Sequence, residues 1–241
     1  MSISFGAGTG IKGNGMKVVT IPPYVPPALN YSVSFPGSSK IIGPTNQSIF
    51  DNTSANSWTI ECWFNPSAYP STGYSGIVEY RTTNIVAGWS IMLTPTSTKY
   101  LIFQQWNSGA SVSIQSATNS ISLNTWYHLA VVYQQGGQVK MYLNGVSQGT
   151  PTGIDLGTST ARVFNIGAYG GASYFNGNIS NVRFVTGTAV YTSNFTPPTA
   201  ALTAISGTSI LTCNDSTIID GSPHAWSLST AGSPSVTTVP F

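Results

Sequence analysis

Acidic residues are scarce in this chain, which has six of them, and one, Glu61, lies in the middle of a predicted strand. The segment "SWTIECWFNP" (57–66) alternates apolar and polar positions, so Glu61 faces away from Trp58 and Ile60. Hydrolysis of a glycosidic bond needs two carboxyl groups about 5–9.5 Å apart. No acid stands two or four positions from Glu61, and Glu79 would have to approach from another strand. The sequence therefore predicts that the protein is not an enzyme.

Without a catalytic role, Glu61 needs a structural one. A carboxylate that is partly buried requires a hydrogen-bonding or charged partner. Three candidates lie in segments with the pattern of neighbouring strands: His128, Arg81 and Arg183. We therefore predict that Glu61 and His128 are structural residues.

Metal-binding patterns are weak. Calcium prefers several carboxylate oxygens, whereas the loop "FDNTSAN" offers only Asp51 and Asn52, and "IDLG" offers Asp155. Asp and Asn are also common turn formers. We expect no cofactor, with calcium at these three residues as the open alternative.

Cys62 and Cys213 are the only cysteines, and no Cys or His spacing indicates zinc. Both lie in apolar segments, which favours buried thiols. A disulfide between them is the open alternative, because the sequence does not give their separation.

Aromatic side chains near amides and hydroxyls form the remaining chemical pattern. Trp106 in "QQWNSG", Tyr169 in "GAYGG" and Tyr174 in "ASYFNG" stand at predicted strand ends or in loops. We expect exposed rings at these positions, which makes the three residues candidates for glycan binding. Aromatic residues are also enriched at subunit contacts, so that alternative stays open.

Composition excludes some partners. Charged residues make up 6% of the chain, against roughly 25% in ordinary soluble domains. The net charge is +2 and the basic residues are scattered, so the clustered positive charge that nucleic-acid binding needs is missing. No apolar stretch approaches the ~20 residues of a membrane span, and the first residues lack the pattern of a signal peptide. We therefore expect neither a nucleic-acid nor a membrane partner.

The elements that must position these residues are strands. From residue 31 onward, short segments rich in β-branched and aromatic residues alternate with Gly, Pro, Asn and Ser clusters. The segment "NTWYHLAVVYQQGGQVKMYLNGV" (124–146) predicts a meander, with tight turns at Gly136-Gly137 and Asn144-Gly145. About a dozen such strands predict an all-β protein with two facing antiparallel sheets.

Three regions follow from the pattern along the chain. Residues 1–30 are rich in Gly and Pro, which predicts an extended arm. We assign residues 31–198 to the sandwich and residues 199–241 to a β-rich tail that packs on the sandwich or on a neighbour.

Several linked segments carry a family resemblance. In order, "YSVSFPGSSKIIG", "SWTIECWFNP", "NTWYHLAVVYQQGGQVKMYLNGV", "VFNIGAYGG" and "FNGNISNVRFV" are similar to the laminin-G-like, concanavalin A-like jelly roll. The resemblance covers about residues 31–198. It implies a jelly-roll sandwich in which a Glu at the position of Glu61 is part of the fold.

The C-terminal part carries a second resemblance. Residues 186–241, with "ILTC", "IIDGS" and a terminal "PF", resemble tails in tailed-bacteriophage (cyanophage-type) virion proteins. This implies a non-enzymatic virion structural protein on the particle surface, assembled in the host cytoplasm as a head decoration or a tail or fibre component. Residues 1–30 would bind other virion proteins, and homo-oligomers are expected. The alternative is a glycan-binding adhesin module that recognises a host-surface glycan.

Overall fold

The structure, a computed structural model, describes residues 30–51, 55–82, 87–107, 110–152 and 161–239. The predicted arm, apart from Asn30, and two of the calcium candidates, Asn52 and Asp155, lie outside these ranges. Within them the chain forms β-strands and no α-helix, and no helix there is long and apolar enough to cross a membrane.

The described residues form seventeen strands and one turn of 3-10 helix at Ser48–Phe50. In chain order the strands are β1 (Asn30–Pro36), β2 (Lys40–Thr45), β3 (Trp58–Pro66), β4 (Ser75–Thr82), β5 (Ala87–Leu93), β6 (Leu101–Asn107), β7 (Ala110–Gln115), β8 (Tyr127–Tyr133), β9 (Val139–Leu143), β10 (Val146–Thr152), β11 (Arg162–Ile166), β12 (Ala168–Tyr169), β13 (Ser173–Tyr174), β14 (Asn176–Thr186), β15 (Thr208–Thr212), β16 (Ser229–Ala231) and β17 (Ser235–Val239).

These strands build two antiparallel sheets. Sheet A has the order β10-β9-β8-β3-β14-β1-β17, with β15 also paired to β14. Sheet B has the order β16-β2-β11-β4-β5-β6-β7, and β12 and β13 form a separate hairpin. The predicted all-β, two-sheet antiparallel sandwich is therefore confirmed.

Aromatic residues fill the space between the sheets. Trp89 of β5 in sheet B stacks on Phe184 of β14 in sheet A, with ring centroids 5.8 Å apart. Phe50, from the 3-10 turn, contacts both Phe164 and Phe184. All four side chains are fully buried. Alternation along each strand places one set of residues in this core, so the intervening residues define the two outer faces.

The residues after position 198 join the sandwich of the same chain. Strand β15 pairs with the second half of β14, while β1 pairs with its first half. Strand β16 pairs with β2 in sheet B, and β17 pairs with β1 at the border of sheet A.

Both cysteines are buried and free, so the disulfide alternative is not formed. Their burial raises the pKa of both thiols, to about 12 for Cys213, and therefore keeps them protonated at neutral pH.

The β12–β13 hairpin packs against β4 through a glycine. A Cβ atom added to Gly76 would lie 2.1 Å from the carbonyl carbon of Ala168, so only a residue without a side chain permits this approach. The hairpin consequently lies directly on the outer face of sheet B.

We predict that Gly76→Ala destabilises the protein by about 1–3 kcal/mol, because the added methyl group must displace the backbone of the hairpin. The matched control is Gly221→Ala, whose Cβ would meet nothing closer than 3.6 Å and whose backbone needs no positive φ. Urea unfolding of the two variants measures the difference. Equal free energies of unfolding would contradict the close packing of the hairpin on β4.

Candidate functional site

A row of mainly polar residues crosses the outer face of sheet B. The strand register sets Ile42 beside Asn165, Asn165 beside Glu79, Glu79 beside Ser90, and Ser90 beside Gln104. The row therefore runs over β2, β11, β4, β5 and β6. Because Tyr80 next to Glu79 belongs to the core, Glu79 faces outward.

Glu79 is only 1% exposed, and its carboxylate accepts hydrogen bonds from four donors. Arg81 Nε donates at 2.8 Å, Asn165 Nδ2 at 3.0 Å and the backbone N–H of Gly170 at 3.1 Å. Ser90 Oγ is a weaker donor at 3.4 Å. These contacts satisfy both carboxylate oxygens, so Glu79 holds Arg81, Asn165 and the β12–β13 turn in fixed positions.

Two of the residues that Glu79 holds keep polar atoms without a partner. Arg81 Nη1 and Asn165 Oδ1 are buried, and neither has a hydrogen-bond partner. Both residues line a cavity of about 350 Å³ on the outer face, together with Lys40 and Gly170. Since buried polar atoms nearly always have partners, these two atoms give the residues that line the cavity unsatisfied hydrogen-bonding capacity.

The cavity carries a small excess of positive charge. Lys40 and Arg81 are its cations, and Glu79 is its carboxylate. Glu79 is already paired with Arg81, whereas Lys40 Nζ makes a long contact of 3.4 Å with the carbonyl oxygen of Gly171. Lys40 therefore has donor capacity for a further acceptor.

Two aromatic rings pack on Arg81, which itself lines the cavity. The guanidinium carbon of Arg81 lies 4.3 Å from the ring centroid of Tyr169 and 5.7 Å from that of Trp106. Gly88 stands between Arg81 and Trp106 in the register, and a Cβ atom there would lie 2.5 Å from Cα and 2.7 Å from Cβ of Arg81. Arg81 thus gains cation–π contacts in addition to its ion pair.

The structure brings two of the three predicted glycan-binding residues together. Trp106 and Tyr169 have ring centroids 6.3 Å apart, and Tyr169 is half-buried. Tyr174 is also half-buried and pairs with Ala168 in the same hairpin. The expectation of an exposed Trp106 ring was wrong: Trp106 is 6% exposed, because Tyr169 and Arg81 pack beside it. The role of all three in glycan binding stays a prediction.

The polar residues of this cavity could not be recognised as a group from the sequence. Lys40, Asn165 and Glu79 come from three strands that are distant in sequence, and Arg81 was proposed only as a partner for Glu61. The strand alternation around Glu79 and Arg81 was visible, but the register that sets Asn165 beside Glu79 was not.

Glu61 lies at a separate site on the outer face of sheet A. Arg183 donates to Glu61 Oε1 from Nε at 2.9 Å and from Nη2 at 2.6 Å. Tyr191 Oη donates to Oε2 at 2.8 Å, and His128 Nε2 lies 3.3 Å from the same oxygen. Of the three predicted partners, His128 and Arg183 contact Glu61, while Arg81 lies in the other sheet.

Burial acts to raise the pKa of Glu61, but the hydrogen bonds from His128 and Tyr191 and the charge of Arg183 outweigh it. The net result is a pKa below the ordinary value for a glutamate. Glu61 is therefore ionised and fully paired at neutral pH.

Glu61 and Glu79 do not form a hydrolase pair. They belong to different sheets and share no hydrogen-bond partner. Each carboxylate is engaged by its own set of donors, and neither has a second carboxylate among its described partners.

The calcium candidate that falls within the described residues is already paired. Asp51 forms an ion pair with Arg162 at 2.7 Å, and burial raises the pKa of its carboxyl group. In the part of the chain that the structure describes, no group of three or more His, Cys, Asp or Glu side chains could hold a metal ion.

The fold is that of the antiparallel β-sandwich class with jelly-roll architecture. Residues 39–190 match the family model of the concanavalin A-like lectin/glucanases superfamily (Laminin_G_3), and the chain belongs to this family. The predicted laminin-G-like resemblance is thereby confirmed, whereas the resemblance to phage virion proteins stays a prediction. A comparison with curated proteins found no match.

Solved structures share the fold. One is a protein of Bacteroides ovatus with a suggested carbohydrate-binding function, 22% identical, with a TM-score of 0.60. The match covers 88% of this chain and 60% of that protein. Another is domain 4 of an extracellular arabinanase from Geobacillus stearothermophilus in complex with arabinotriose. It is 20% identical, with a TM-score of 0.51, and the match covers 66% of this chain and 72% of that one.

We predict that Glu61→Gln lowers the free energy of unfolding at neutral pH by about 3–5 kcal/mol, because it removes the charge that pairs with buried Arg183. The pKa of Glu61 is lower in the folded protein than in the unfolded chain, so its ion pairing stabilises the protein fully at pH values above the pKa of the unfolded chain. This stabilisation is lost as the pH falls through the lower pKa of the folded protein. The parent should therefore lose more stability on acidification than the variant.

Denaturant unfolding at pH 7 and at a series of acidic pH values checks this prediction. Asp215→Asn is the control, because Asp215 is exposed and its side chain contacts only Ser216 in the described residues. A Glu61→Gln variant with the stability and pH profile of the control would contradict the structural role.

Proposed function

We propose that this protein is a non-enzymatic carbohydrate-binding module whose site is the cavity between Lys40, Arg81, Asn165 and Gly170. The observation that carries the proposal is the pair of buried atoms without partners, Arg81 Nη1 and Asn165 Oδ1, in residues that line the cavity. One atom is a donor and the other an acceptor, which suits a hydroxyl group that both accepts and donates.

Charge and shape also favour a sugar. Ligand sites combine an apolar or aromatic surface with a few fixed polar groups. Here Tyr169 supplies a half-buried ring, and Glu79 fixes Arg81 and Asn165 before any ligand arrives. The ammonium group of Lys40 adds a cationic donor, so the cavity accommodates neutral sugars and those that carry a carboxylate.

The solved structures of similar fold support this proposal. The Bacteroides ovatus protein has a suggested carbohydrate-binding function, and the arabinanase domain is in complex with arabinotriose. They favour the adhesin alternative of the sequence analysis over a purely structural virion role. The virion location, the binding of other virion proteins through residues 1–30 and homo-oligomerisation stay predictions.

The test is an array of neutral and acidic oligosaccharides, including arabinotriose, probed with the full chain, followed by calorimetry on the sugars that bind. We predict that Lys40→Ala weakens binding about 10- to 100-fold, because it removes a charged hydrogen-bond donor worth about 1.5–3 kcal/mol. Trp106→Ala is a poor probe, since its burial makes loss of stability the first effect.

Lys140→Ala is the matched control. Lys140 is also half-buried, and its Nζ also contacts a backbone carbonyl, that of Thr192 at 3.3 Å, but it lies in sheet A. The control should bind like the parent. A blank array, or equal affinities for the two lysine variants, would count against the proposed site.

A further inference from the structure

A second cavity lies on the same outer face of sheet B. Its volume is about 270 Å³, and its lining consists of Gly73, Tyr74, Thr94, Pro95, Thr98 and Tyr100. Tyr74 and Tyr100 are half-buried and pack on a cluster formed by Met92, Ile102 and Trp106. These cluster residues occupy the outer face of β5 and β6.

Two tyrosines connect the second cavity to the first. Tyr169 lies over Arg81, which lines the first cavity, and Tyr74 lines the second. The rings of Tyr169 and Tyr74 meet edge to face, with centroids 6.0 Å apart. Tyr169 packs on the same apolar cluster as Tyr74 and Tyr100. A line of half-buried tyrosine rings therefore leads from one cavity to the other.

The wall of the second cavity is held in place by its own turn. Thr94 Oγ1 donates to the carbonyl oxygen of Tyr100 at 3.0 Å and accepts from the backbone N–H of Tyr100 at 2.9 Å. Thr98 Oγ1 donates to Thr94 Oγ1 at 2.8 Å. These bonds fix the backbone of Tyr100 without a ligand, so little ordering would be needed on binding.

We infer that the two cavities are subsites for one linear oligosaccharide, with one sugar unit at Arg81 and Asn165 and a further unit on Tyr74 and Tyr100. This inference rests on the proposed function and adds the class of ligand to it. The first cavity orients a sugar through charged and amide groups, whereas the second offers rings, hydroxyl groups and no charged side chain in its lining. A chain of sugars has apolar ring faces and hydroxyl edges, which match both kinds of lining.

The experiment measures affinity for ladders of arabino-, laminari- and galacturono-oligosaccharides from monomer to hexamer, using the full chain. For the ladder that binds, affinity should rise at least about tenfold between the monomer and the trimer or tetramer, which corresponds to about 1.4 kcal/mol, and then level off. Tyr100→Ala should abolish this gain and leave the affinity for the monomer unchanged, while Tyr100→Phe should retain the gain.

Tyr31→Ala is the control, because Tyr31 is a half-buried tyrosine of β1 in sheet A. It should behave like the parent on every ladder. Binding that is equally strong for the monomer and longer chains, with no effect of Tyr100→Ala, would overturn the inference and leave the proposed function standing. Failure of the parent to bind any member of the ladders would contradict the proposed function and this inference together.

Discussion

The buried carboxylate of Glu79 fixes the outer face of sheet B. It receives donors from β4, from β11 and from the β12–β13 turn, so one side chain ties together three elements that are far apart in sequence. A buried carboxylate with fewer partners would be costly. The same bonds use Nε of Arg81 and the Nδ2 end of the Asn165 amide, and leave Arg81 Nη1 and Asn165 Oδ1 without a hydrogen-bond partner. The candidate site thus depends on the hydrogen bonds that the Glu79 carboxylate accepts.

The two outer faces of the sandwich differ in a way that bears on function. On sheet A, Tyr191 and Phe195 from the segment after β14 pack over Ala130, Val132 and Tyr142. Glu61 is enclosed beneath this segment, where all its contacts are internal. On sheet B, the β12–β13 hairpin covers part of the face, and two cavities remain beside it. The segment after β14 thus covers part of the outer face of sheet A, where a cavity of about 60 Å³ remains beside Lys140, whereas the two larger cavities are those on the side of sheet B.

More of the fold than of the candidate site could be predicted from the sequence. Period-two alternation, as in residues 57–66, and turn residues such as Asn144-Gly145 depend on local chemistry, so the sandwich was predictable. The partners of Glu61 were predictable in type, since an isolated carboxylate between apolar positions needs a cation. The cavity was not, because it depends on the register between β4 and β11 and on the approach of the hairpin at Gly76. The burial of Trp106 depends on that same hairpin, which explains why its exposure was overestimated.

A crystal structure of the protein with a bound oligosaccharide would show directly whether the cavity beside Glu79 is the sugar-binding site. We expect a sugar hydroxyl within hydrogen-bond distance of both Arg81 Nη1 and Asn165 Oδ1, accepting from the first and donating to the second, with Glu79 still bonded to Arg81 and to the Gly170 backbone. A sugar bound on sheet A or at the loop ends, with water alone at these two atoms, would contradict the proposed site.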